Sequence, residues 1–430
     1  MRERIHTLVV GGGWSGLATA ITLTHQGHPV HLIESAKQLG GRARNVHWQN
    51  QTIDNGQHMM IGAYEQMLEM MQLIGISPNE VFHRAPIDIT IKDSQFPSLH
   101  LSTKSWLPWP LSLAWNLIKS AGPLGFYQVA RLQSHIPKLL SDNDITVSEW
   151  LLKTKQSERL IRQLWEPLCL ATLNTPINQA SAHVLAKVLQ DSLGKSKSDA
   201  DLLIPKQALG DLFPLIAANY IEQHGGKVSL QTRAKEIIVQ QGQVQGLVTR
   251  DDTTIPAENI IVALSPSQSA ALLESHITIN KPIEYPICTV YLQYPTHITL
   301  AEPMSGMTGT LSQWIFDRSE QTPGLMAVVI SGPGEHENMQ KDELILQVCK
   351  EIHQMHPSLP EKADYSLVIR EKHATFACTV DNERKRPHSQ TDISGLWLAG
   401  DYIANNYPAT IEGAIRNGKN CAKLLATSLK

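Results

Sequence analysis

The feature that most constrains this chain lies near its start, where the short apolar run Thr7 to Val10 is followed by Gly11, Gly13 and Gly16 in the spacing G-x-G-x-x-G. A stretch with helical periodicity comes next. The first glycine permits a tight turn, the second lets backbone approach a pyrophosphate, and the third lets a helix pack close to the strand. The turn spans Gly11 to Gly16, the helix Leu17 to Gln26, and after the break at Gly27 a second strand, Val30 to Glu34, completes a βαβ unit. Glu34 stands 23 residues after Gly11, where a carboxylate accepts hydrogen bonds from an adenosine ribose 2′-hydroxyl. The unit predicts a dinucleotide site at one end of a parallel sheet.

From Trp106 to Leu193 the pattern turns helical, with punctuation at Pro108, Pro110, Gly122, Pro123, Pro167 and Pro176, and reads as a helical cap. Strand character returns in VSLQT, EIIVQQ, QVQGLVTR and Asn259 to Leu264, with a hairpin marked by Gly242. More strands follow in CTVYLQY, LMAVVIS and YSLVIRE, with a helix from about Asp342 to His353 between the last two. GLWLAGDY and a helical stretch from about Ala409 to Leu425 read as strand, loop and helix. Nucleotide-binding features therefore sit at both ends and around a central sheet segment. The prediction is an α/β fold with interleaved domains: a Rossmann-type domain from residues 1–83, 201–265 and 390–430, and a mixed-sheet substrate domain bearing the helical cap from 84–200 and 266–389.

A length of 430 residues with 42% hydrophobic and 18% charged side chains suits two or three globular domains. The balance of 37 Lys+Arg against 40 Asp+Glu gives no bulk attraction to phosphate backbones, which argues against nucleic acid as a partner. Cys169, Cys288, Cys349, Cys378 and Cys421 lie far apart with no C-x-x-C pair, so a reducing, cytosolic setting is expected, with Cys169 a small buried residue. No metal site is expected. His336 and Glu337 begin H-E, but Gln340 stands where a zinc helix needs its second histidine, and His353 and His356 read as solvated surface residues. No run approaches the roughly 20 apolar residues that span a bilayer, and MRERIHTLVVGGG reads as a strand entering a turn rather than as a signal peptide.

Three further segments bear on which dinucleotide is held. LGGRAR carries Gly40, Gly41, Arg42, Ala43 and Arg44, in which paired glycines bring backbone near phosphate and Arg42 offers a bidentate fork. DNGQHMMIG spans Asp54 to Gly62, and LAGD spans Leu398 to Asp401. In these residues the chain resembles flavoproteins of the amine oxidase and phytoene desaturase superfamily, and within it the hydroxysqualene dehydroxylase family. The glycine fingerprint and GGR support the broad resemblance. WEPLCLATLNTP and the REKHATFA stretch support the narrow one, and DNGQHMMIGAYEQML, DLLIPKQALGDLF and LWLAGDYIANNYPATIEGAIRNGKNCA carry it over nearly the whole chain.

The resemblance implies FAD held by Gly11, Gly13, Ser15, Gly16, Glu34, Gly41 and Arg42, with Ala234 near adenine, Gly400 and Asp401 near the ribityl chain, and Thr410 and Ile411 at the last helix. It implies reductive removal of the hydroxyl of hydroxysqualene in bacterial squalene and hopanoid synthesis. A carotenoid-type desaturase acting oxidatively and a non-catalytic flavin or isoprenoid carrier are the alternatives. Independently of it, Pro408-Ala409-Thr410 opens a helix whose N–H groups and dipole favour negative charge, and Glu412 reads as a first-turn carboxylate stabilised by that dipole alone. His58 in DNGQH is the candidate acid for the leaving oxygen, with a flavin-orienting hydrogen bond as its competing role. One G-x-G-x-x-G occurs, because Gly332 and Gly334 lack a suitable following helix, so no built-in nicotinamide domain is expected. Flavin amine oxidases usually carry a lysine beside the flavin on a substrate-domain strand, and YPICTVYLQY has none, which counts against amine chemistry.

The segment Trp106 to Tyr127 holds three of the nine tryptophans and a single charge, Lys119. Leu111, Ala114, Trp115 and Ile118 share one helical face, while Leu113 and Leu117 make the opposite side apolar too. Such a helix is either core or an interfacial anchor. A C30 isoprenoid has negligible aqueous concentration and must be delivered from a bilayer, which favours the anchor. The expectation is a cytoplasmic protein held peripherally at the inner face of the cytoplasmic membrane through Trp106, Trp109 and Trp115.

Overall fold

The computed structural model describes residues 5–104, 106, 108–193 and 196–429, and the described residues build two large sheets. The first is centred on Ile5–Val10, flanked in parallel by His31–Ile33 and Thr254–Val262. Lys227–Ser229 extends it beyond His31–Ile33, and Leu396–Leu398 lies parallel to the second half of Thr254–Val262. The first half of that strand instead pairs antiparallel with Gln243–Thr249, which pairs with Ala234–Gln240. Gln241 and Gly242, at φ 51° and 76°, make the hairpin turn between the last two, in the left-handed conformation that tight hairpins need. Leu8, Val9, Leu32, Ile260 and Ile261 are all buried. A parallel strand covered on both faces has no solvent side, which is why these segments read as continuous apolar runs.

All seven strands of this sheet come from residues 1–83, 201–265 and 390–430, whereas every strand of the second comes from 84–200 and 266–389. The second sheet runs Tyr365–Phe376, Glu284–Gln293, Leu325–Ser331, Trp314–Asp317, Met304–Thr308, Asp88–Asp93, Leu99–Ser102. It is mixed, since Met304–Thr308 and Asp88–Asp93 are parallel and the other neighbours antiparallel. The fold is α/β.

The first helix is Trp14–His25, starting three residues before the sequence pattern suggested, because Trp14 is drawn into the first turn by stacking on Phe213 at 4.4 Å. It packs on Ile411–Ser428, and the crossing is close: a Cβ on Gly418 would sit 2.4 Å from the Ser15 carbonyl oxygen. Strand His31–Ile33, by contrast, is shorter than its sequence pattern, with Val30 and Glu34 outside it.

The cap resolves into helices Trp109–Ser141, Val147–Lys153, Glu158–Leu160 continuing through a π-helical turn Ile161–Trp165 into Glu166–Leu173, and Ala182–Leu193. Trp109–Ser141 breaks at Gly122, φ 78°, just before Pro123. Its inner side buries Leu117, Leu132, Ile136 and Leu139, but Leu111, Trp115, Leu124 and Tyr127 on the outer side are exposed, and so is Trp106 at 91%. Trp109 is half-buried. The cap is pinned to the second sheet by Arg162, whose Nε donates to Asp93 at 2.6 Å. Against the burial that would raise it, hydrogen bonds from Arg162, Thr308 and two backbone amides hold the Asp93 carboxyl down to about 2. The segment WEPLCLATLNTP forms a second seam. Asn174 Nδ2 donates to Thr375 Oγ1 at 2.9 Å, Asn174 Oδ1 accepts from Gly332 N at 2.6 Å, and Thr175 Oγ1 accepts from Cys378 N at 2.9 Å.

Lys341–Met355 covers the other face of the second sheet, and here the surface reading of the histidine pair is corrected. His353 is partly exposed and bonded to the Leu359 carbonyl, but His356 is buried over strand Asp88–Asp93, where Lys92 Nζ donates to its Nδ1 at 3.2 Å. Burial, with Lys92 adding to it, pushes the His356 ring down to about 4. All five cysteines are free and buried, Cys169 among them. Among the described residues no helix is long and apolar enough to cross a membrane.

Candidate active site

The glycine turn carries three glycines for three reasons. Gly11 adopts φ 112°, and a Cβ there would lie 2.5 Å from the Ala263 carbonyl oxygen. On Gly16 it would lie 2.0 Å from the Gly11 carbonyl oxygen. These two positions are fixed by backbone packing, whereas the nearest atom to a Cβ on Gly13 is 4.0 Å away. Gly13 therefore borders open space. It is also the N-cap of Trp14–His25, which has no side-chain cap and no acid in its first turn, and the buried Ser15 hydroxyl has no protein partner. Helix N–H groups left without protein acceptors, beside an unpartnered hydroxyl and an open approach, fit the diphosphate of a dinucleotide.

Glu34 is drawn onto the turn: Oε2 accepts from Gly12 N at 2.7 Å and Oε1 from Ala36 N at 2.8 Å. Thr232 N donates to the Glu34 carbonyl at 2.8 Å, so Ala234, two residues further on, lies at the same end of the sheet. Gly40 N donates to the Gly12 carbonyl at 2.9 Å, and a Cβ on Gly41 would lie 3.2 Å from Gly13 Cα, so the two glycine segments run side by side.

Arg42 joins this half to the end of the chain. Its Nη2 donates to Asp401 Oδ2 at 2.6 Å and its Nη1 to the Ala374 carbonyl at 2.7 Å, so the fork is occupied by protein groups. Gly400 N donates to Asn417 Oδ1 at 2.9 Å. The loop after Asp401 is gathered by buried Arg386, whose Nη2 donates to the carbonyls of Asp401 and Ile403, each at 2.7 Å, and whose Nη1 donates to that of Tyr407 at 2.9 Å. Neither Arg386 nor Asn417 stood out in the sequence, although Arg386 lies within REKHATFACTVDNERKRP. Thr410 caps Ile411–Ser428, its Oγ1 accepting from Gly413 N at 3.1 Å.

Glu412 is not held by that helix's dipole alone. It is fully buried, accepting from Gln66 N at 3.1 Å and Met67 N at 2.9 Å at the start of a second helix, Glu65–Leu73, and from Arg416 Nε at 2.6 Å. Burial raises its pKa and Arg416 opposes the rise.

The remaining wall is DNGQH. Asp54 ends strand Gln51–Asp54, after which Asn55 Nδ2 donates to Glu371 Oε2 at 3.1 Å and Gln57 N to Thr289 Oγ1 at 3.4 Å. The segment thus crosses the second sheet at Glu284–Gln293, a strand without lysine. His58 follows, with its Nδ1 buried and unpartnered. Burial lowers its pKa, against the pull of Asp54. Among the described residues no cluster of His, Cys, Asp or Glu could hold a metal ion.

A parallel sheet with an uncapped glycine-turn helix, backed by a second sheet and a helical cap, defines a dinucleotide-dependent oxidoreductase. The chain belongs to the flavin-containing amine oxidoreductase family, whose profile matches residues 14–426, and it is an FAD-dependent enzyme. It is 27% identical to hydroxysqualene dehydroxylase of Zymomonas mobilis over 97% of this chain and 98% of that protein. Identity to hydroxysqualene dehydroxylase of Sinorhizobium fredii is 26%, over 99% and 98%. Zeta-carotene desaturase of Zea mays is 22% identical over 97% of this chain and 82% of its own length. Among solved structures, cyclohexylamine oxidase from Brevibacterium oxydans superimposes with TM-score 0.74 at 16% identity over 99% of each chain, and an oxidoreductase from Methanosarcina mazei with TM-score 0.75 at 14% identity over 99% of this chain and 100% of its own.

Proposed function

We propose that the protein removes the hydroxyl of hydroxysqualene reductively, giving squalene, in bacterial squalene and hopanoid synthesis. The observation that carries this reading is the similarity to hydroxysqualene dehydroxylases over essentially the full length of both partners. The lysine-free strand Glu284–Gln293 supports it against amine oxidation.

In this reading Gly11, Gly13, Ser15 and Gly16 hold the diphosphate, Glu34 and Ala234 the adenosine, and Gly41, Gly400 and Asp401 border the rest of FAD, with Arg42 and Thr410 acting through the protein groups they bind. Bound FAD, when reduced, supplies the two electrons that replace the carbon–oxygen bond. The chain does what remains. Arg42 and Asp401 lock the two glycine-bearing loops together, the cap and second sheet keep water from the reacting carbon, and His58 gives a proton to the departing oxygen. Anaerobic incubation of the purified protein with reduced FAD and hydroxysqualene should yield squalene and oxidised FAD in equal amounts. Unchanged hydroxysqualene would point to a carrier, and added double bonds formed with oxidised FAD to a desaturase.

The substrate's insolubility and the uncovered outer face of Trp109–Ser141 support peripheral association with the inner face of the cytoplasmic membrane. Trp106 and Trp115, 91% and 52% exposed, would lead insertion. Replacing Trp106, Trp109 and Trp115 by Ser should release the protein from vesicles with FAD still bound, whereas retained binding would remove this helix from the interface.

A further inference from the structure

The outer face of the cap carries a charge pattern that apolar insertion alone does not explain. Residues 94–141, which include the whole of helix Trp109–Ser141, contain Lys104, Lys119, Arg131 and Lys138 and no Asp or Glu, in a chain with 40 acidic residues against 37 basic ones. The flanking acids are mostly turned inward. Asp93 accepts from Arg162 and Thr308, and Asp144 from the Ser181 hydroxyl and the His183 amide, which leaves Asp142 exposed at the C-terminal end of the helix. Lys104 is balanced by Asp88, 2.9 Å away. Lys119, Arg131 and Lys138 are not balanced: among the described residues none of the three has a carboxylate partner, and Lys119 and Lys138 are exposed, with Arg131 half-buried. Lys119 Nζ lies instead 5.2 Å from the centre of the Trp115 ring, a cation over an aromatic face at the surface. The neighbouring helix and turn, fastened by Gln156 Nε2 donating to the Gln128 carbonyl at 2.8 Å, carry Glu149 and Glu158 with Lys153 and Lys155, so they supply no surplus acid.

The order of side chains along the helix indicates what meets this face. Trp106, Leu111, Trp115, Leu124 and Tyr127 are exposed before Gln128, and Arg131 and Lys138 come after it. A membrane interface offers hydrocarbon beneath a plane of headgroups, so aromatic and aliphatic side chains enter while ammonium and guanidinium groups stop at the headgroup level. An acidic protein surface would meet the cations and leave the apolar half uncovered. A neutral bilayer would cover the apolar half and leave three cations without counter-charge.

We propose that the cap docks on anionic phospholipid, with Lys119, Arg131 and Lys138 set against its headgroups and the exposed apolar residues before Gln128 in the acyl boundary. The inference rests on the reading of this helix as the membrane anchor, and adds the charge class of lipid that it selects. The net charge of −3 does not oppose it. At physiological ionic strength charges further away than about 8 Å are largely screened, so a bilayer senses the local face and not the total of the molecule. Each basic residue brought to an anionic surface strengthens binding about fivefold.

The test is co-sedimentation of the FAD-loaded full chain with vesicles of phosphatidylcholine alone and of phosphatidylcholine mixed with phosphatidylglycerol. The native protein should bind the mixed vesicles about a hundredfold more tightly than the neutral ones, and added salt should remove that preference. The triple variant Lys119→Gln, Arg131→Gln, Lys138→Gln should lose the preference and keep the weaker binding to neutral vesicles, whereas Lys119→Arg, Arg131→Lys, Lys138→Arg should bind as the native protein does. A control with the same change of net charge on the covering helix and the loop after it, Lys341→Gln, Lys350→Gln, Lys362→Gln, should keep the preference, since these exposed lysines lie outside the cap. Equal binding of the native protein to both kinds of vesicle overturns the inference and leaves the membrane reading standing. Binding to neither kind overturns the membrane reading itself. Because the lipid comparison and the salt series use the native protein, they decide the matter even if a variant fails to fold, and a control that loses the preference as fully as the cap variant overturns the assignment to these three residues.

Discussion

Two helices begin at the candidate cofactor site and are prepared in different ways. Trp14–His25 starts from Gly13 with no side-chain cap, no acid in its first turn and an unpartnered hydroxyl at Ser15. Ile411–Ser428 starts from Thr410, whose hydroxyl accepts from Gly413 N, and its first-turn acid, Glu412, is turned away to cap a third helix and is paired with Arg416. The first start is left incomplete by its own sequence, so its amides are available to an external anion. The second has one of its first amides, that of Gly413, satisfied from within. A glycine cap beside open space marks where ligand binding energy is collected, and a threonine cap marks a helix end that the fold itself needs.

Four substitutions sharpen or break this contrast, in descending order of effect. Gly13→Val fills the space beside the turn, where no protein atom comes within 4.0 Å of the new Cβ, so the protein should fold with native unfolding behaviour yet purify without FAD. Full FAD occupancy in that variant, measured by absorbance against protein, would end the account of the first helix. Glu412→Ala leaves Arg416 and the amides of Gln66 and Met67 without their acceptor, and urea unfolding of the apoprotein should show a loss of about 2–3 kcal/mol. An unchanged midpoint would mean that the second helix is not held by this carboxylate.

Ser15→Ala removes a hydroxyl that no protein group uses, so stability should stay unchanged while FAD dissociates about tenfold more readily, as for the loss of one hydrogen bond to a charged group. Affinity equal to native, by titration of the apoprotein, would take Ser15 out of the site. Thr410→Ala should do the reverse, costing about 1 kcal/mol of stability with FAD affinity nearly native. If FAD binding fell instead, the second helix start would belong with the first as a binding device.

What could be read in advance divides by whether a residue's task is local. The positions of Gly11, Gly16 and Glu34 were legible because a turn, a close approach and a strand end each demand a residue type at a set distance along the chain. Gly242 was legible for the same reason. Arg386 was not, because its partners are mostly backbone carbonyls, which any sequence supplies. His356 was misread because helical spacing reports which residues share a face and says nothing of the strand lying beneath. Glu412 was misread similarly: the helix it caps is 345 residues away. WEPLCLATLNTP had marked the chain only by resemblance, and Asn174 and Thr175 give it a physical content as the seam between cap and sheet.

The close crossing of the first and last helices has a consequence for how the chain is made. Thr19 Oγ1 donates to the Gly418 carbonyl at 3.2 Å, across 399 residues. At about 5–20 residues per second the ribosome completes that partner roughly 20–80 s after the glycine turn has emerged. During the interval Leu17, Ala18 and Ile21 await cover that lies in unsynthesised chain, and Thr254–Val262 lacks its neighbour Leu396–Leu398. The apolar face of the first helix therefore lacks part of its cover until residue 418 has been made. A message cut short before codon 396 would yield a polypeptide that displays the whole dinucleotide fingerprint yet lacks both the strand Leu396–Leu398 and the Asp401 partner of Arg42.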